Sequence, residues 1–436
     1  MMKLTRLLLK TLAFVFITLP FTSYLESAEI ELQITKQMGR KIDMALAPFK
    51  SQNALDSQTI KTFEQTVSFN LEQSGFFELV KHQKEMLALS NTEPADSITQ
   101  ASQWRGLGAD ILVKGSYLWN GQSGSLDVYA FDVEGQRRIF AKRYPLQQAT
   151  LRGTAHTCAN DIIYRMTGEK GLAGTRIAYV AGGPRSKEVF VCDADGKNVR
   201  QLTQDGSIVL GISWHPSGTK ILYTSFKDGR AGIYIHDLSH GQRQSLPAYP
   251  GLNAAAKFSP DGTHIASVLS KDGNPEIYIS DLQGQNLRRI TSHPSVDSSP
   301  CWSPDGQRIA FVSDRSGRPH LYLQDLKGGP LRRLTHQGSY NASPAWSPKG
   351  DKIAFSSNMD GSFKICVLDL NQETITIVSQ EGGEAEEPDW APDGRHLIYS
   401  SKIGGVHQLF MVDVFDGKTI RLSSNKVHHL TPAWSF

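Results

Sequence analysis

Apolar positions in the C-terminal part of the chain recur at a fixed interval of 44 residues. The interval relates six aliphatic residues: Ile177, Ile221, Ile265, Ile309, Ile353 and Leu397. It also relates the aromatic residues that open a turn motif: WHPSG at Trp214, FSPDG at Phe258, WSPDG at Trp302, WSPKG at Trp346 and WAPDG at Trp390, with Trp434 one step further on. Repeats of about 40 to 50 residues with regular turn signals are typical of β-propellers.

One unit of the repeat predicts four short strands, at 298–302, 308–313, 320–325 and 331–335. In the SPDG segment, Pro and Asp favour a turn and Gly supplies the positive φ that a tight reversal needs. A β-helix would need a much shorter repeat, and a helical solenoid would space its apolar residues by three and four. The pattern therefore predicts a six-bladed β-propeller over residues 169–436.

The two ends of the repeat array are offset by one strand. The array begins at a second strand, Arg176 to Ala181, and ends on a first strand, Leu430 to Trp434. We therefore expect the C-terminal strand to complete the blade that the N-terminal strands begin, which would leave no exposed edge. The recurring Trp side chains could bind a ligand or pack between blades. Packing explains their repetition better, because Phe258 replaces Trp at one of these positions.

Residues 29–168 carry no copy of the repeat and mix helical and strand patterns. A buried strand is predicted at 41–49, and an amphipathic helix at 59–75, closed by Gly75. Further strands are predicted at 110–118, 126–133 and 138–144. A second helix contains apolar residues at helical spacing and ends near Gly168: Leu151, Ala155, Cys158, Ile162 and Met166. The segment predicts a small N-terminal α/β domain.

The first 28 residues have the layout of a secretory signal peptide. Lys3, Arg6 and Lys10 precede an apolar run at 12–19, and small residues follow near Ala28. The alternative is a membrane anchor, but the run is shorter than the roughly 20 residues of a spanning helix. We expect an exported protein without direct membrane insertion, located in the periplasm if the cell has two membranes.

Composition excludes several classes of protein. The 436 residues carry 46 Lys and Arg against 43 Asp and Glu, a formal charge of +3, so the basic surplus of a nucleic-acid binder is absent. Four cysteines in a chain of this length form no disulfide framework. We find neither a GxSxG nucleophile elbow, an HExxH helix nor a phosphate-binding loop, so the sequence indicates a non-catalytic protein with no cofactor and no metal.

A few polar clusters leave alternatives open. His428 and His429 are adjacent and could bind a metal, but such pairs are more often solvated loop residues. Glu384, Glu386 and Glu387 could contact a basic partner or a cation at the channel mouth, or could form a solvated loop.

The junction between the two regions carries the most specific motif, HTCANDIIYRMTGEKGLAGTRIAYV at 156–180. Together with the signal peptide, the α/β segment and six repeats ending in PAWS at 432–435, it closely resembles the TolB family, periplasmic propeller proteins of the Tol–Pal system. The resemblance implies a monomeric adaptor whose propeller binds Pal, the peptidoglycan-associated lipoprotein, and whose mature N-terminus binds TolA. It also implies a role in outer-membrane integrity and in constriction during cell division.

The resemblance implies particular contact residues. Contacts with Pal fall at one mouth of the channel, at Asn253, Ala255, Asp297, Ser298 and Ser299, with Asn341, Glu387 and His429 as neighbours in the ring. Ser298 and Ser299 stand where the family pattern can place Thr and Glu. The TolA-binding segment would comprise Glu29, Ile30, Glu31, Leu32, Gln33 and Ile34, or these residues would form a first strand of the α/β domain. The alternative function is a propeller that binds a soluble ligand or glycan in its channel, or a degenerate hydrolase accessory subunit.

Overall fold

The computed structural model describes residues 40–53, 57–379, 383–423 and 426–435. These ranges all belong to one compact unit, Gln37–Phe436. The predicted signal peptide and the predicted TolA-binding segment lie outside the described residues.

Within the described residues, the N-terminal domain contains six strands and four helices. Its strands are β1 (Ile42–Leu46), β2 (Lys50–Ser51), β3 (Phe77–Leu79), β4 (Ile111–Trp119), β5 (Ser123–Asp132) and β6 (Arg137–Gln147). Its helices are α1 (Ser57–Gln73), α2 (Gln83–Thr92), α3 (Ala101–Gly106) and α4 (Leu151–Thr167), with a short 3₁₀ turn at Gln148–Thr150 before α4.

The strands form one sheet in the order β3-β1-β4-β5-β6, with β2 beside β4. β1 runs parallel to both β3 and β4, whereas β4, β5 and β6 are antiparallel neighbours. Helices cover both faces of the sheet: α1 and α4 pack through residues such as Val67 and Ile162, and α2 and α3 pack on the other face through Met86 and Trp104. The sheet therefore lies between two apolar layers.

Sequence periodicity predicted some of these elements and missed others. The predicted helices correspond to α1 and α4, and α4 ends on Gly168, which has a φ of 71° and donates its N–H to the carbonyl of Tyr164. The predicted strands correspond to β1, β4, β5 and β6. The segment 77–106, which contains β3, α2 and α3, was not predicted, because these elements are short and their apolar residues show no sustained period.

The propeller consists of six four-stranded antiparallel blades. We number them from the first blade formed by one continuous stretch of chain and give the strands from the channel outward. Blade 1 comprises Val209–Trp214, Lys220–Ser225, Gly232–Asp237 and Arg243–Ser245; blade 2 comprises Asn253–Phe258, His264–Leu269, Glu276–Asp281 and Arg288–Arg289. Blade 3 comprises Asp297–Trp302, Arg308–Ser313, His320–Asp325 and Arg332–Arg333; blade 4 comprises Asn341–Trp346, Lys352–Met359, Ser362–Asp369 and Thr374–Ile377. Blade 5 comprises Ala385–Trp390, His396–Ile403, Val406–Asp413 and Thr419–Arg421.

Blade 6 joins the two ends of the propeller, as the strand offset predicted. Its inner strand is C-terminal, His428–Trp434, and its other strands are Arg176–Gly182, Lys187–Asp193 and Arg200–Gln201. The closing pair is antiparallel, with Trp434 opposite Ile177 and Leu430 opposite Val180. The six-bladed propeller closed by the C-terminal strand is thus confirmed, and pairing of the first and last strands removes the open edge.

Each inner strand contains a β-bulge at the same position. In every inner strand, the residue three places before the closing Trp or Phe has a φ between 43° and 58°, a left-handed conformation that is uncommon for residues other than glycine. These residues are Gly211, Ala255, Ser299, Ser343, Glu387 and Thr431. The pairing register shifts around each of them. Because a bulge re-aims side chains and bends the strand, its repetition shapes the channel wall in all six blades.

The recurring aromatic residues pack between blades and also donate hydrogen bonds. Trp214, Trp346, Trp390 and Trp434 are buried, as is Phe258. The indole Nε1 of Trp390 donates to the carbonyl of Ala345 at 3.0 Å, and that of Trp214 donates to the carbonyl of Ala433 at 3.0 Å. Each bond connects the inner strands of neighbouring blades, so the packing interpretation of these residues agrees with their position.

The N-terminal domain packs against the end of the propeller at which the inner strands finish. Arg395, in the turn after the inner strand of blade 5, donates from Nη2 to the carbonyl of Gly75 at 3.0 Å. Its guanidinium lies 4.9 Å from the ring centre of Phe76 and pairs with Asp413 at 2.6 Å. In the opposite direction, Arg152 of α4 pairs with Asp193 of blade 6 at 3.2 Å. The opposite end of the channel makes none of these contacts.

Candidate partner-binding face

We call the end of the propeller where the inner strands begin the open face. In an antiparallel blade, the second strand ends and the third strand begins at the end where the first strand starts. The loops between these strands, and the segments that lead into each inner strand, therefore lie on the open face. The N-terminal domain contacts the turns at the other end, so the open face has six sets of loops around one channel mouth.

Exposed hydrophobic side chains are concentrated on the open face. Among the described residues, ten large hydrophobic side chains of the propeller are exposed, and seven of them are on this face. We call these seven the apolar collar: Leu210, Phe226, Leu252, Val296, Tyr340, Ile403 and Val427. Their side chains are 37% to 46% exposed. A ring of exposed apolar residues with polar neighbours is typical of a protein-binding surface.

Four of the predicted contact residues lie at the start of inner strands, two positions before the bulge, and are buried. Asn253, Asp297, Asn341 and His429 are at most 2% exposed. Asn253 exchanges hydrogen bonds with the backbone of Tyr249, at 2.8 Å for the bond that it accepts and 2.7 Å for the bond that it donates. Hydrogen bonds of this kind fix the loops that enter the inner strands, whereas Oδ1 of Asn341 and Nδ1 of His429 have no partner among the described residues.

Asp297 shows how such a buried group is stabilised. Both of its carboxylate oxygens accept hydrogen bonds from Nη2 of Arg315, at 3.0 and 2.8 Å. Burial raises the pKa of Asp297, and hydrogen bonds from Ser313 and Arg315 counteract that rise. Asn341 donates to the carbonyl of Gln337 at 2.9 Å, in the segment that leads from blade 3 into its own strand. Both residues position the loops that carry Val296 and Tyr340 of the apolar collar.

The other predicted contact residues lie at the bulges and are partly exposed. Ala255, Ser299 and Glu387 occupy the bulge position itself, and Ser298 directly precedes it. The small side chains of the first three blades leave the mouth unobstructed on that side. Glu387 is the single ionisable group among the six bulge residues, and its Oε2 accepts the backbone N–H of Thr431 at 2.6 Å.

Deeper in the channel wall, a cation and a carboxylate occupy equivalent positions of blades 2 and 5. Lys257 donates from Nζ to the carbonyl of Ile212 at 2.9 Å, and Asp389 accepts the backbone N–H of Trp434 at 2.7 Å. Burial raises the pKa of Asp389, and Lys257 opposes the rise. Burial likewise raises the pKa of Glu387 to about 7, which the hydrogen bond from Thr431 counteracts. Each group also links its blade to a neighbour.

The remaining polar clusters differ from one another. His428 lies beside His407, with ring centres 5.5 Å apart, but no group of three metal-ligating side chains occurs within the described ranges. Glu384 is exposed, with Lys402 at 3.5 Å, whereas Glu386 is half-buried. The described cysteines, Cys158, Cys192, Cys301 and Cys366, are free thiols.

Sequence reasoning missed the apolar collar, although the repeat contains a signal for it. Leu252, Val296 and Tyr340 are related by the 44-residue step and directly precede the inner strands. An apolar residue in a loop that enters a predicted strand at the channel mouth could have been identified as an exposed position. The predicted TolA-binding residues, Glu29, Ile30, Glu31, Leu32, Gln33 and Ile34, lie outside the described residues.

Both regions match family models. Residues 163–436 match the model described as the TolB beta propeller domain, and residues 30–139 match the model described as the TolB amino-terminal domain. The chain belongs to the TolB family. Membership agrees with the α/β domain, the six blades and the closing strand.

Relatives and a solved structure give the same family. The chain is 36% identical over 233 residues to the Tol-Pal system protein TolB of Methylococcus capsulatus, a match to 52% of this chain and 53% of the relative. It is 36% identical over 193 residues to the protein of the same name from Alkalilimnicola ehrlichii, covering 43% of this chain and 44% of that one. The chain thus spans about half the length of the curated relatives it matches.

A crystal structure of TolB from Acinetobacter baumannii superimposes with a TM-score of 0.78 at 27% identity. The superposition covers 91% of this chain and 97% of the other. Among the helices that the structure describes, none has both the length and the apolar character needed to cross a bilayer.

Proposed function

We propose that this protein is a non-catalytic periplasmic adaptor of the Tol–Pal system. In this proposal the open face binds the lipoprotein Pal, and the segment Glu29–Ile34 binds TolA. The relatives at 36% identity carry the name Tol-Pal system protein TolB, which supports the assignment to that system. The adaptor would connect Pal to TolA and so support outer-membrane integrity and constriction during cell division.

The observation that carries the proposal is the apolar collar around the mouth opposite the N-terminal domain. Burial of exposed apolar surface is the main favourable contribution to most protein association. Seven such side chains on one face, with small residues at the neighbouring bulges, provide a shallow surface for a folded partner. The buried residues Asn253, Asp297 and Asn341 would act indirectly, because they hold the loops that carry the collar.

A pull-down with purified Pal from the same organism tests the open face. We expect the wild-type chain to capture Pal and Val296→Asp to lose most of the captured protein, because a buried charge without a partner opposes association. Val199→Asp is the matched control, since Val199 is also exposed but lies in a turn on the other end of blade 6. Equal capture by both variants would contradict the proposed face. No capture by the wild-type chain would contradict Pal as the partner and favour the search for a channel ligand.

The TolA segment is tested separately. Deletion of residues 29–34 should abolish capture of TolA and leave capture of Pal unchanged. Retained capture of TolA by the deleted chain would contradict the assignment of the segment.

A further inference from the structure

A small cavity lies between the N-terminal domain and blades 5 and 6. Its volume is about 20 Å³, enough for one water molecule. It is lined by side chains or backbone of α1, α4, the connecting segment and the propeller, among them Asn70, His156, Gly174, Asp195 and Met411. Residues on both sides of the contact between the domains therefore line the cavity.

His156 is the buried titratable group of α4 at this cavity. His156 is 8% exposed, and its Nδ1 lies 2.9 Å from the amide nitrogen of Asn70 on α1. Because an amide nitrogen can only donate, Nδ1 accepts and the ring carries its proton on Nε2. Nε2 has no hydrogen-bond partner among the described residues. The imidazole is thus neutral in the closed junction.

Charged groups of α4 itself and of blade 6 lie near His156. Arg152, one helical turn earlier in α4, pairs with Asp193 at 3.2 Å and also pairs with Asp195. Lys197 follows in the same turn of blade 6. The α1 residues that line the cavity, Phe69, Asn70, Gln73 and Ser74, carry no charge. Burial lowers the pKa of His156, with Arg152 and Lys197 acting in the same direction and Asp193 and Asp195 opposing.

We propose that the junction between the N-terminal domain and the propeller is a proton-sensitive hinge, which opens when His156 takes up a proton. Protonation at Nδ1 removes the acceptor for Asn70 and leaves a cation beside Arg152 in a site with little water. Separation of α4 from blade 6 hydrates the imidazolium, which favours the open arrangement.

The direction follows from the lowered pKa. A group that binds its proton less tightly in the closed form than in water shifts the equilibrium toward the open form as the pH falls. The shift begins at the ordinary pKa of histidine and is complete below the lowered pKa of the closed form. Each pH unit between these two pKa values changes the ratio of open to closed molecules about tenfold. The junction is therefore closed at neutral pH and opens on acidification.

Small-angle X-ray scattering of the chain from residue 29 onward tests the hinge at pH 7.5 and 5.0, with near-ultraviolet circular dichroism to verify that both domains stay folded. We expect the radius of gyration of the wild-type protein to increase at pH 5.0. His156→Gln, which keeps an acceptor for Asn70 but does not titrate, should remain compact at both values. Asn70→Asp should also remain compact, because the carboxylate stabilises the imidazolium within the closed junction.

Lys349→Gln serves as the matched control, since Lys349 of blade 4 pairs with Glu169 of the connecting segment at 3.4 Å and both side chains are partly exposed, at 46% and 41%. We expect it to expand on acidification as the wild-type protein does. An unchanged radius of the wild-type protein would overturn the proposal. So would expansion of His156→Gln equal to that of the wild-type chain, or expansion of Asn70→Asp.

Discussion

In the propeller the same hydrogen bond recurs from blade to blade, whereas the N-terminal domain depends on polar contacts that occur once. In five blades a Ser or Thr hydroxyl after the fourth strand accepts a backbone N–H from the third strand, at 2.8 to 3.1 Å. The hydroxyls belong to Thr203, Thr291, Thr335, Ser379 and Ser423, and blade 1 has Pro247 at the equivalent position. Among its described residues, the N-terminal domain instead has one buried ion pair, Lys114 with Glu93 at 3.0 Å.

The difference shows how each region responds to the loss of one contact. In a repeating structure, stability is approximately a sum over units and their neighbours, so one missing bond affects one blade. Glu93 accepts bonds from Thr99, Gln100 and Trp104 as well as from Lys114, so this single carboxylate organises a whole segment.

Deletion of residues 430–436 should have the largest effect, because ring closure is the one propeller interaction that no other blade repeats. The deletion removes most of the pairing with Arg176–Gly182 and leaves that strand as an exposed inner edge of blade 6. We expect loss of the cooperative thermal transition of the propeller and aggregation on heating, measured by circular dichroism and light scattering. A cooperative transition at the wild-type midpoint would contradict the closure.

Lys114→Ala should destabilise the N-terminal domain by about 3 to 5 kcal/mol, since it leaves Glu93 buried without its counter-charge. Chemical denaturation measures this change. Lys142→Ala is the control, because Lys142 pairs with Asp161 in a partly exposed position and should cost less than about 1 kcal/mol. Similar losses of unfolding free energy in both variants would show that burial does not determine how much the ion pair contributes to stability.

Glu387→Gln should alter the pH dependence of propeller stability. Burial raises the pKa of Glu387 to about 7, so its stabilising contribution is fully present below the ordinary carboxyl pKa and is lost as the pH rises toward 7. The variant should therefore gain about 3 kcal/mol relative to the wild type between pH 4.5 and 7.5. Unfolding free energies at the two pH values measure the difference, with Glu384→Gln as an exposed control that should show no such gain.

Thr335→Val should have the smallest effect, about 1 to 2 kcal/mol, because it keeps the side-chain volume and removes one of five equivalent bonds together with the 3.2 Å hydrogen bond to Nδ1 of His320. Hydrogen exchange at Leu321, whose N–H the hydroxyl accepts at 3.0 Å, should increase while exchange in blade 6 is unchanged. Faster exchange throughout the propeller would contradict the independence of the blades.

The same contrast explains what could be predicted from the sequence. The strands of the blades recur at 44 residues, so errors at one copy are corrected by the others, and the offset of the first and last strands predicts the closure. In the N-terminal domain the long helices α1 and α4 were predicted, whereas β3, α2 and α3 were not. Those elements depend on contacts such as Trp104 with Glu93, which join residues with no recognisable spacing.

The candidate site divides in a similar way. The resemblance identified the strand starts and bulges, but it could not separate Asp297, whose carboxylate is bound by Arg315, from Ser298 beside it, which is partly exposed. That distinction depends on the bulge, which turns successive side chains to different environments. The apolar collar depends on loop exposure, which a residue's hydrophobicity alone does not reveal.

Hydrogen–deuterium exchange of the chain with and without Pal tests the open face most directly. If Pal binds the open face, we expect slower exchange on binding in the segments that carry Leu252, Val296 and Tyr340, and at the bulges of Ala255 and Ser299. The turns at 215–219 and 391–395, at the opposite end of the channel, should exchange as in the free protein. Protection confined to those turns or to the N-terminal domain, with exchange on the open face unchanged, would contradict the open face as the binding surface.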